Sequence, residues 1–418
     1  MVSLTLLSVI RHYHASSTLY DDTITMYDIL LEMRKIRCLN NDVFFEVLSL
    51  LPTKTLFQLK CVSKAWNNLI SDRSFIQSQL QRTKLSISGF IFQDKFPWLN
   101  KDIKTVTYIP VDEEDFQFKH KIFDFLPEDV VVLSSCHGLI CCRSCFPTQD
   151  PTIYICNPLN KEMTKLSWNS LGNDSIISLA FDPSQNSIDI STEFKLVTVE
   201  AFEIGGEEEQ EEKRCITFEI YSSRTKEWLK SREICQCNSN ILNNKSIFVK
   251  GILYWQTDGD NILTFDLDKE LSWLISVPIP ATEFKTIPQT CIGECEGQLN
   301  YVMISEEGLH LWCLEDSFES EWTLKYWKSL EMMEKEFPKL FYNLRGRVMQ
   351  DVSICDTPWM NPMAFNGGIL LLRVSAKIYL YHFESGKMEV VCVAPKLGLS
   401  AMFQPILLPY SMSLVPLK

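Results

Sequence analysis

Five neighbouring residues carry side chains that bind zinc in many proteins. Cys136, His137, Cys141, Cys142 and Cys145 supply sulfur and nitrogen, and Cys142 to Cys145 has the CxxC spacing. A structural zinc site needs a second ligand pair, however, and Cys136 to Cys142 is predicted to be an extended strand, whose alternate side chains face opposite ways. We therefore expect these residues to pack within a strand, and we predict no metal site.

Catalytic chemistry has little support in the sequence. The six histidines are His12, His14, His120, His137, His310 and His382. Three of them lie in or beside apolar strands, where a histidine is usually structural. Cys235 and Cys237 have no second pair nearby at metal-binding spacing, and the sequence has no nucleophile elbow, phosphate loop, dinucleotide fingerprint or HExxH motif. We expect no catalytic residue and no cofactor.

Cysteine usage and hydropathy indicate the compartment. Fifteen cysteines suggest a disulfide scaffold only in a short secreted chain, and this chain has 418 residues. The apolar first ten residues lack a preceding basic segment, and Arg11-His12 stands where small residues would mark a cleavage site. No run of 18 apolar residues is long enough to span a membrane. We expect reduced thiols, no membrane contact, and a location in the cytoplasm or nucleus.

The charge distribution argues against nucleic-acid binding. The chain has a formal net charge of −13. Residues 39–83 carry five Lys/Arg and three Asp/Glu, and residues 1–38 are balanced, which leaves −15 for the remainder. Nucleic acids require clustered Lys and Arg to displace phosphate counterions. The hydrophobic content of 46% indicates a packed globule after the first segment.

The first structural element is a helical unit at residues 39–83, preceded by a weakly structured extension, residues 1–38. Helical spacing defines three short helices, with Asn40, Asn41 or Asp42, then Thr53, then Ser63 as their caps. Pro52 is expected to end the first helix, and Asp72 and Ser74 the third. The apolar positions are Val43, Val47 and Leu51; Leu56 and Leu59; Trp66, Leu69 and Ile70; and Phe75, Ile76 and Leu80. So short a unit rarely stabilises itself without a partner.

This segment resembles the F-box of plant proteins. The similarity is carried by Leu51-Pro52-Thr53-Lys54-Thr55-Leu56, by Leu59-Lys60-Cys61-Val62-Ser63-Lys64-Ala65-Trp66, and by Leu69-Ile70, Asp72 and Phe75. One departure is Leu39-Asn40, where the family usually has Leu-Pro, so we expect a softened first turn. The resemblance implies a Skp1-like adaptor as partner, and through it the cullin and RING subunits of a ubiquitin ligase. The implied Skp1-binding residues are Leu39, Val43, Val47, Leu51, Pro52, Leu56, Leu59, Val62, Trp66 and Leu69. The alternative is a helical cap of the following domain.

Residues 84–418 are predicted to form an all-β domain of short strands. Glycine-led hairpins repeat at Gly251, Gly297 and Gly367, and Gly138 begins a similar one. The 46 residues from Gly251 to Gly297 match a four-stranded propeller blade, so we predict a β-propeller of six to eight blades. The gaps of 113 residues before Gly251 and 70 after Gly297 indicate missing markers or inserted loops. An array of β-sandwiches is the alternative fold.

The ends of this domain are expected to meet. Rings avoid a free edge by pairing strands from both ends, so Ala401–Leu408 should pair near Leu85–Phe92. The acidic run from Gly205 to Lys213 is expected to be a solvated loop between two strands of one blade. The fold class is therefore α+β and multidomain, with a small helical F-box followed by a propeller.

The propeller segment also resembles the plant F-box-associated, kelch-related domain. The matching motifs are Ser135-Cys136-His137-Gly138-Leu139-Ile140-Cys141 and Tyr154-Ile155-Cys156-Asn157-Pro158. Pollen self-incompatibility factors are a subclass with similar architecture. Together the resemblances imply a non-catalytic substrate receptor of an SCF-type ubiquitin ligase that recruits an unidentified target protein. Two alternatives remain open: a Skp1-binding propeller protein that acts outside a ligase, and a propeller enzyme or sensor.

Overall fold

A computed structural model describes most of the chain. The described residues are 41–82, 86–94, 105–111, 122–145, 152–167, 176–183, 192–204, 213–349, 359–393 and 405–417. The side chains of residues 41–44, 204 and 243–245 are not part of this description. The predicted extension 1–38, the predicted Leu39-Asn40 entry and the tip of the acidic run lie outside it. Within these ranges, no helix is both long and apolar enough to cross a membrane.

The helical unit contains four helices where the sequence predicted three. They are α1 Asn41–Leu48, α2 Thr53–Leu59, α3 Lys64–Ser71 and α4 Arg73–Arg82. Asp72 ends α3 as predicted, but its Oδ1 also accepts a hydrogen bond from the Ser74 backbone N–H at 2.9 Å. The residues expected to break the helix therefore begin another one, because an aspartate at this position satisfies free N–H groups of a first turn.

The predicted caps are partly confirmed. Ser63 precedes α3, and its hydroxyl accepts from the Trp66 backbone N–H at 3.2 Å, as expected. Thr53 was wrongly predicted as a cap: Pro52 takes that position, with φ −58°, and Thr53 is the first residue of α2. The Thr53 hydroxyl instead accepts from Gln79 Nε2 at 3.3 Å, which ties α2 to α4. Helix α1 ends at Leu48, earlier than the predicted stop at Pro52.

Twenty-three strands follow in the described ranges, and they group into six blades. They are β1 Gly89–Gln93 and β2 Val106–Pro110 with β23 Ile406–Tyr410; β3 Val130–Cys136, β4 Leu139–Ser144, β5 Thr152–Asn157 and β6 Glu162–Ser167; β7 Ile176–Ala180, β8 Lys195–Ile204, β9 Lys213–Ser222 and β10 Glu227–Gln236; β11 Ile241–Val249, β12 Ile252–Thr257, β13 Asn261–Asp266 and β14 Leu271–Ser276; β15 Gln289–Cys295, β16 Gln298–Ser305, β17 Gly308–Asp316 and β18 Glu321–Lys328; and β19 Met360–Asn366, β20 Ile369–Val374, β21 Lys377–His382 and β22 Met388–Val393. A single-turn 3₁₀ helix, Ala281–Glu283, precedes the fifth blade.

The blades form a closed ring. The innermost strands β3, β7, β11, β15, β19 and β23 are neighbours in that order, and β23 lies beside β3. Strands β15 and β19 come close enough for a short parallel pairing, Gly293 with Phe365. A Cβ on Gly293 would lie 2.0 Å from the Phe365 carbonyl oxygen, so this approach requires glycine. The ring confirms the predicted propeller and excludes the sandwich array.

The first blade is built from both ends of the domain. Strand β23 pairs with β1 in antiparallel register, for example Leu408 with Ile91 and Leu407 with Phe92. This is the pairing predicted from the sequence. Strand β23 is the innermost strand of its blade, so it covers the edge of β1 and completes the inner ring at once.

The glycine markers occupy one structural position. Two-residue turns with positive φ join the innermost strand to the second strand in four blades: His137-Gly138, Lys250-Gly251, Glu296-Gly297 and Gly367-Gly368. Such turns match the twist of antiparallel strands and favour glycine. The sequence has no glycine between β7 and β8 of the third blade, which explains the gap of 113 residues. Two helices, α5 Leu330–Glu336 and α6 Leu344–Val348, are inserted between β18 and β19 and explain the gap of 70.

The alternation of antiparallel strands gives the propeller two faces. Turns from the first to the second strand and from the third to the fourth strand lie on one face, which we call the turn face. Connections from the second to the third strand and from one blade to the next lie on the opposite face, the loop face. The insertion that contains α5 and α6 belongs to the loop face.

Candidate functional site

The helical unit is held together by polar contacts between its ends. The Arg82 guanidinium pairs with the Glu46 carboxylate, and Arg82 Nη1 donates to the Ser49 hydroxyl at 3.1 Å. The hydrogen bond from Arg82 lowers the pKa of Glu46. Together with the bond from Gln79 to Thr53, these contacts fix α4 against α1 and α2. These contacts therefore fix the relative positions of the helices and of the side chains on their surface.

One side of the unit is covered by this chain itself. Its buried apolar residues are Leu48, Leu51, Leu56, Leu59, Ile70, Phe75 and Ile76. They belong to one continuous apolar cluster with residues of the first and second blades and with Leu414 and Val415. The sequence suggested a unit that needs an external partner for its core. In the structure, the propeller and the segment after β23 supply part of that core.

The unit also leaves an apolar band partly accessible on α2, α3 and the loop between them. We define this band as Pro52, Phe57, Val62, Trp66 and Leu69. The exposed fractions of Phe57 and Val62 are 36% and 39%, and Pro52 is also exposed. Trp66 and Leu69 are half-buried, and both also pack against the buried apolar cluster that the unit shares with the propeller. Apolar side chains left accessible on adjacent elements make this band a candidate protein-binding surface.

The structure divides the ten residues that the resemblance implied for adaptor binding. Leu51, Leu56 and Leu59 are buried in the unit, and Val47 is half-buried. Pro52, Val62, Trp66 and Leu69 lie in the band. The Val43 side chain and Leu39 are outside the described residues. Sequence reasoning missed Phe57, although an aromatic side chain off the Leu56–Leu59 stripe of a short helix was a readable signal.

The basic residues of the unit have different roles. Lys54 and Lys64 are exposed, and Arg73 is half-buried. The Lys60 ammonium lies 5.9 Å from the centre of the Phe57 ring, which is a cation–π contact with a residue of the band. Burial lowers the pKa of Lys60, against an opposing effect from Glu162 of the second blade.

The unit rests on the turn face of the second and third blades. Gln77 Nε2 donates to the Pro183 carbonyl oxygen at 3.0 Å, just after β7. The segment 411–417 crosses the same face. Asn157 Nδ2 donates to the carbonyl oxygens of Ser413 at 2.9 Å and Val415 at 2.8 Å, and Glu162 Oε2 accepts from the Leu417 N–H at 2.7 Å. These contacts place the helical unit and the loop face on opposite sides of the propeller.

Cys136 and His137, two residues of the cysteine and histidine cluster, make contacts at the same face. Cys136 Sγ donates to the Phe181 carbonyl oxygen at 3.2 Å, and His137 Nδ1 lies 2.7 Å from that oxygen. Burial alone would lower the pKa of His137, but Cys136, the Phe181 carbonyl and Asp182 outweigh it and raise the pKa to about 9. Burial raises the pKa of the Cys141 and Cys142 thiols. Across the described ranges, no group of three or more His, Cys, Asp and Glu side chains is arranged to hold a metal ion.

Comparison with known families matches both parts of the chain. The F-box domain matches residues 36–78. A family described as "F-box protein At3g26010-like, beta-propeller" matches residues 117–345, more than half of the chain. The chain belongs to this family of F-box proteins with a β-propeller. The F-box match overlaps the predicted unit at residues 39–83, and the propeller match covers the second to fifth blades and α5.

Individual relatives are plant F-box proteins. F-box protein At5g07610 of Arabidopsis thaliana is 26% identical over 320 residues, covering 72% of each chain. F-box protein At5g49610 of the same plant is 23% identical over 323 residues, covering 72% of this chain and 82% of the relative. Among solved structures, the WD40 domain of SCAP from fission yeast matches with a TM-score of 0.33 and 12% identity, over 68% of this chain and 58% of that one.

Proposed function

We propose that this F-box protein is the substrate receptor of an SCF-type E3 ubiquitin ligase in the cytoplasm or nucleus. The observation that carries the proposal is the exposed apolar band on a helical unit whose other side is already covered by the propeller. A Skp1-like adaptor that covers Phe57, Val62 and their neighbours would bury the apolar surface that remains. The adaptor would in turn bring the cullin and RING subunits.

The chain would contribute proximity and no bond-making chemistry. The propeller would hold a target protein so that a target lysine stays near the thioester of the ubiquitin-charged E2. Tethering of this kind raises the effective concentration of the reacting groups, while the E2 and RING subunits carry out the transfer. Since the helical unit occupies the turn face at the second and third blades, the loop face is left for the target.

The proposal is tested by charge substitutions in the band. Phe57→Asp with Val62→Asp should abolish capture of a Skp1-like adaptor, because adaptor binding would bury two carboxylates without partners, which costs several kcal/mol. Since both side chains are partly exposed, the thermal unfolding of the chain should change little. The measurement is pull-down of purified adaptor by the full chain, with melting temperatures of each variant.

A matched control introduces the same kind of charge elsewhere in the unit. Gln81 is exposed near the end of α4, away from the band, so Gln81→Asp should retain the adaptor. Retention of the adaptor by the Phe57/Val62 variant would exclude the band as the docking surface. The alternative functions are distinguished by which subunits co-purify with the wild-type chain. Adaptor without cullin indicates a role outside a ligase, and absence of the adaptor indicates a propeller enzyme or sensor.

A further inference from the structure

The insertion between the fifth and sixth blades is a rigid element with an exposed tip. Ser329 caps α5, and its hydroxyl accepts from the Met332 backbone N–H at 3.2 Å. The Glu334 carboxylate then accepts from the N–H groups of Asn343 at 3.0 Å and Leu344 at 3.1 Å, which closes the turn that leads into α6. A side chain of α5 therefore fixes the start of the next helix.

Apolar packing anchors the same insertion to the propeller. Leu330, Met333, Phe341 and Leu344 are buried in one cluster with side chains of the fifth and sixth blades. The Phe341 ring makes edge-to-face contacts with Phe337 at 6.0 Å and with Trp359 at 6.4 Å. The tip between α5 and α6 is thus held from both sides and cannot fold away into the core.

Against this anchored background, two large apolar side chains point to solvent. The exposed fraction of Tyr342 is 76%, and that of Met332 is 51%. An aromatic side chain this exposed on a rigid turn gains nothing from the fold of its own chain. Tyrosine is enriched at the centres of protein interfaces, because it buries a large area with little loss of conformational freedom.

The insertion has paired carboxylates and two lysines without an ion-pair partner in the described part of the chain. Residues 329–349 hold four cationic and three acidic side chains, in a chain of net charge −13. All three carboxylates are used internally: Glu331 lies 3.9 Å from Arg345, Glu334 caps α6, and Glu336 pairs with Lys328. Lys335 and Lys339 are exposed, and neither has an ion-pair partner among the residues that the structure describes.

We propose that Lys335, Lys339, Tyr342 and Met332 form a docking site on the loop face for an acidic segment of the target protein that carries an apolar anchor residue. This inference rests on the proposed function and names the chemistry of its target. Two unpaired lysines attract carboxylates, whereas nucleic acid needs a larger cationic cluster than this one. The site lies on the face opposite the helical unit, where a bound target leaves the adaptor surface free.

The test uses phage that display random 12-residue peptides, panned on the purified full chain. Recovered peptides should combine several Asp or Glu with an aromatic or aliphatic residue. By fluorescence polarisation, a synthetic copy should bind Lys335→Glu with Lys339→Glu at least tenfold more weakly than the wild-type chain. Tyr342→Ser should also weaken binding, and added salt should weaken binding to the wild type.

Matched controls separate this inference from general charge effects and from the proposed function. Lys161 and Lys165 are exposed on the second blade, so Lys161→Glu with Lys165→Glu makes the same charge change elsewhere and should bind the peptide normally. Equal binding by the Lys335/Lys339 variant, equal loss in the control, or recovery of no acidic peptide overturns the inference. Adaptor pull-down with the same variants tests the proposed function separately, since none of these substitutions touches the band.

Discussion

At the residue scale, the same turn position carries different constraints in different blades. Gly138 and Gly251 both follow a residue with positive φ, and their own φ angles are 88° and 89°. A Cβ at Gly138 would lie 2.3 Å from the Ser413 Cβ and 2.9 Å from the Ser411 carbonyl oxygen. A Cβ at Gly251 would meet only Asp268 Oδ2, at 3.9 Å. Gly138 is therefore required by the neighbouring segment 411–417 as well as by its backbone conformation.

Alanine substitution should separate these two constraints. Gly251→Ala should cost about 1–2 kcal/mol, the expense of a Cβ at positive φ. Gly138→Ala should cost about 1–3 kcal/mol more, because the methyl group also displaces segment 411–417. The measurement is thermal unfolding together with hydrogen exchange of the Leu414 and Val415 amides. Equal effects of the two variants would show that the segment yields without cost.

At the element scale, the helical unit depends on caps that the sequence partly conceals. Asp72 Oδ1 accepts from the backbone N–H of Ser74 at 2.9 Å and of Phe75 at 3.3 Å. The hydrogen bond from the Ser74 hydroxyl is the largest effect on Asp72 and lowers its pKa below 3.8. Asp72 thus ends α3 and holds the first turn of α4 in its ionised form.

The lowered pKa predicts an acid-sensitive helix. Since ionised Asp72 is favoured in the folded state, its contribution is complete above about pH 3.8 and is lost as the pH falls through the lower, folded-state pKa. Hydrogen exchange of the α4 amides should therefore accelerate on acidification. Asp72→Asn retains a cap without a titrating group, so its α4 should lose less protection over the same range. Parallel loss in both proteins would assign the effect to other carboxylates.

The sequence predicts elements well where one residue type has one possible role. The four glycine turns and the Ser63 cap follow from residues that few alternatives replace, and the pairing of β23 with β1 follows from closure of the ring. The fourth helix was missed because Asp and Ser serve equally as breakers and as caps. An insertion was one of two explanations for the gap after Gly297, but its helices were not predicted, although Ser329, Leu330 and Met333 carry the spacing of a capped helix.

The sequence predicted which segment contains the candidate site, but not which of its side chains form the exposed surface. Apolar periodicity finds the residues of the helical unit, but it cannot tell which stripe the propeller covers and which stripe remains exposed. That distinction depends on tertiary packing: the buried stripe shares its apolar cluster with residues as distant as Leu414 and Val415, more than 330 residues away in the chain. Buried Leu51 and exposed Val62 therefore looked equivalent before the tertiary structure was known.

At the scale of the whole molecule, the residues after 404 perform two separable tasks. Strand β23 closes the ring by pairing with β1, and Leu414 and Val415 of segment 411–417 join the apolar cluster that contains the buried residues of the helical unit. Asn160 Nδ2, which donates to the Leu414 carbonyl oxygen at 3.0 Å, and Thr192, whose hydroxyl bonds to the Pro416 carbonyl, hold the segment in place. Ring closure and packing near the helical unit thus depend on adjacent parts of one segment, β23 and residues 411–417.

Two truncations should distinguish these tasks. Removing residues 411–418 should leave the ring closed but free the helical unit, so limited proteolysis should cut near residues 83–88 while the propeller resists. Removing residues 405–418 should expose the edges of β1 and of the neighbouring innermost strands and make the propeller itself sensitive. Each truncation is compared with the full chain in the presence of a Skp1-like adaptor. A propeller equally resistant in both would mean that β23 is dispensable for closure.

The position of β23 also fixes the order of events during synthesis on the ribosome. The helical unit emerges before the propeller, whereas Leu414 and Val415, which belong to the same apolar cluster as its buried residues, emerge after the described strands β1 to β23. For that whole interval this part of the cluster is missing, and one edge of β1 is unpaired because β23 has not yet been made. An adaptor that binds the nascent helices would therefore meet the exposed band before the propeller has covered the other apolar side chains of the unit. Chaperones that shield open strand edges would be needed until residue 410 has left the exit tunnel.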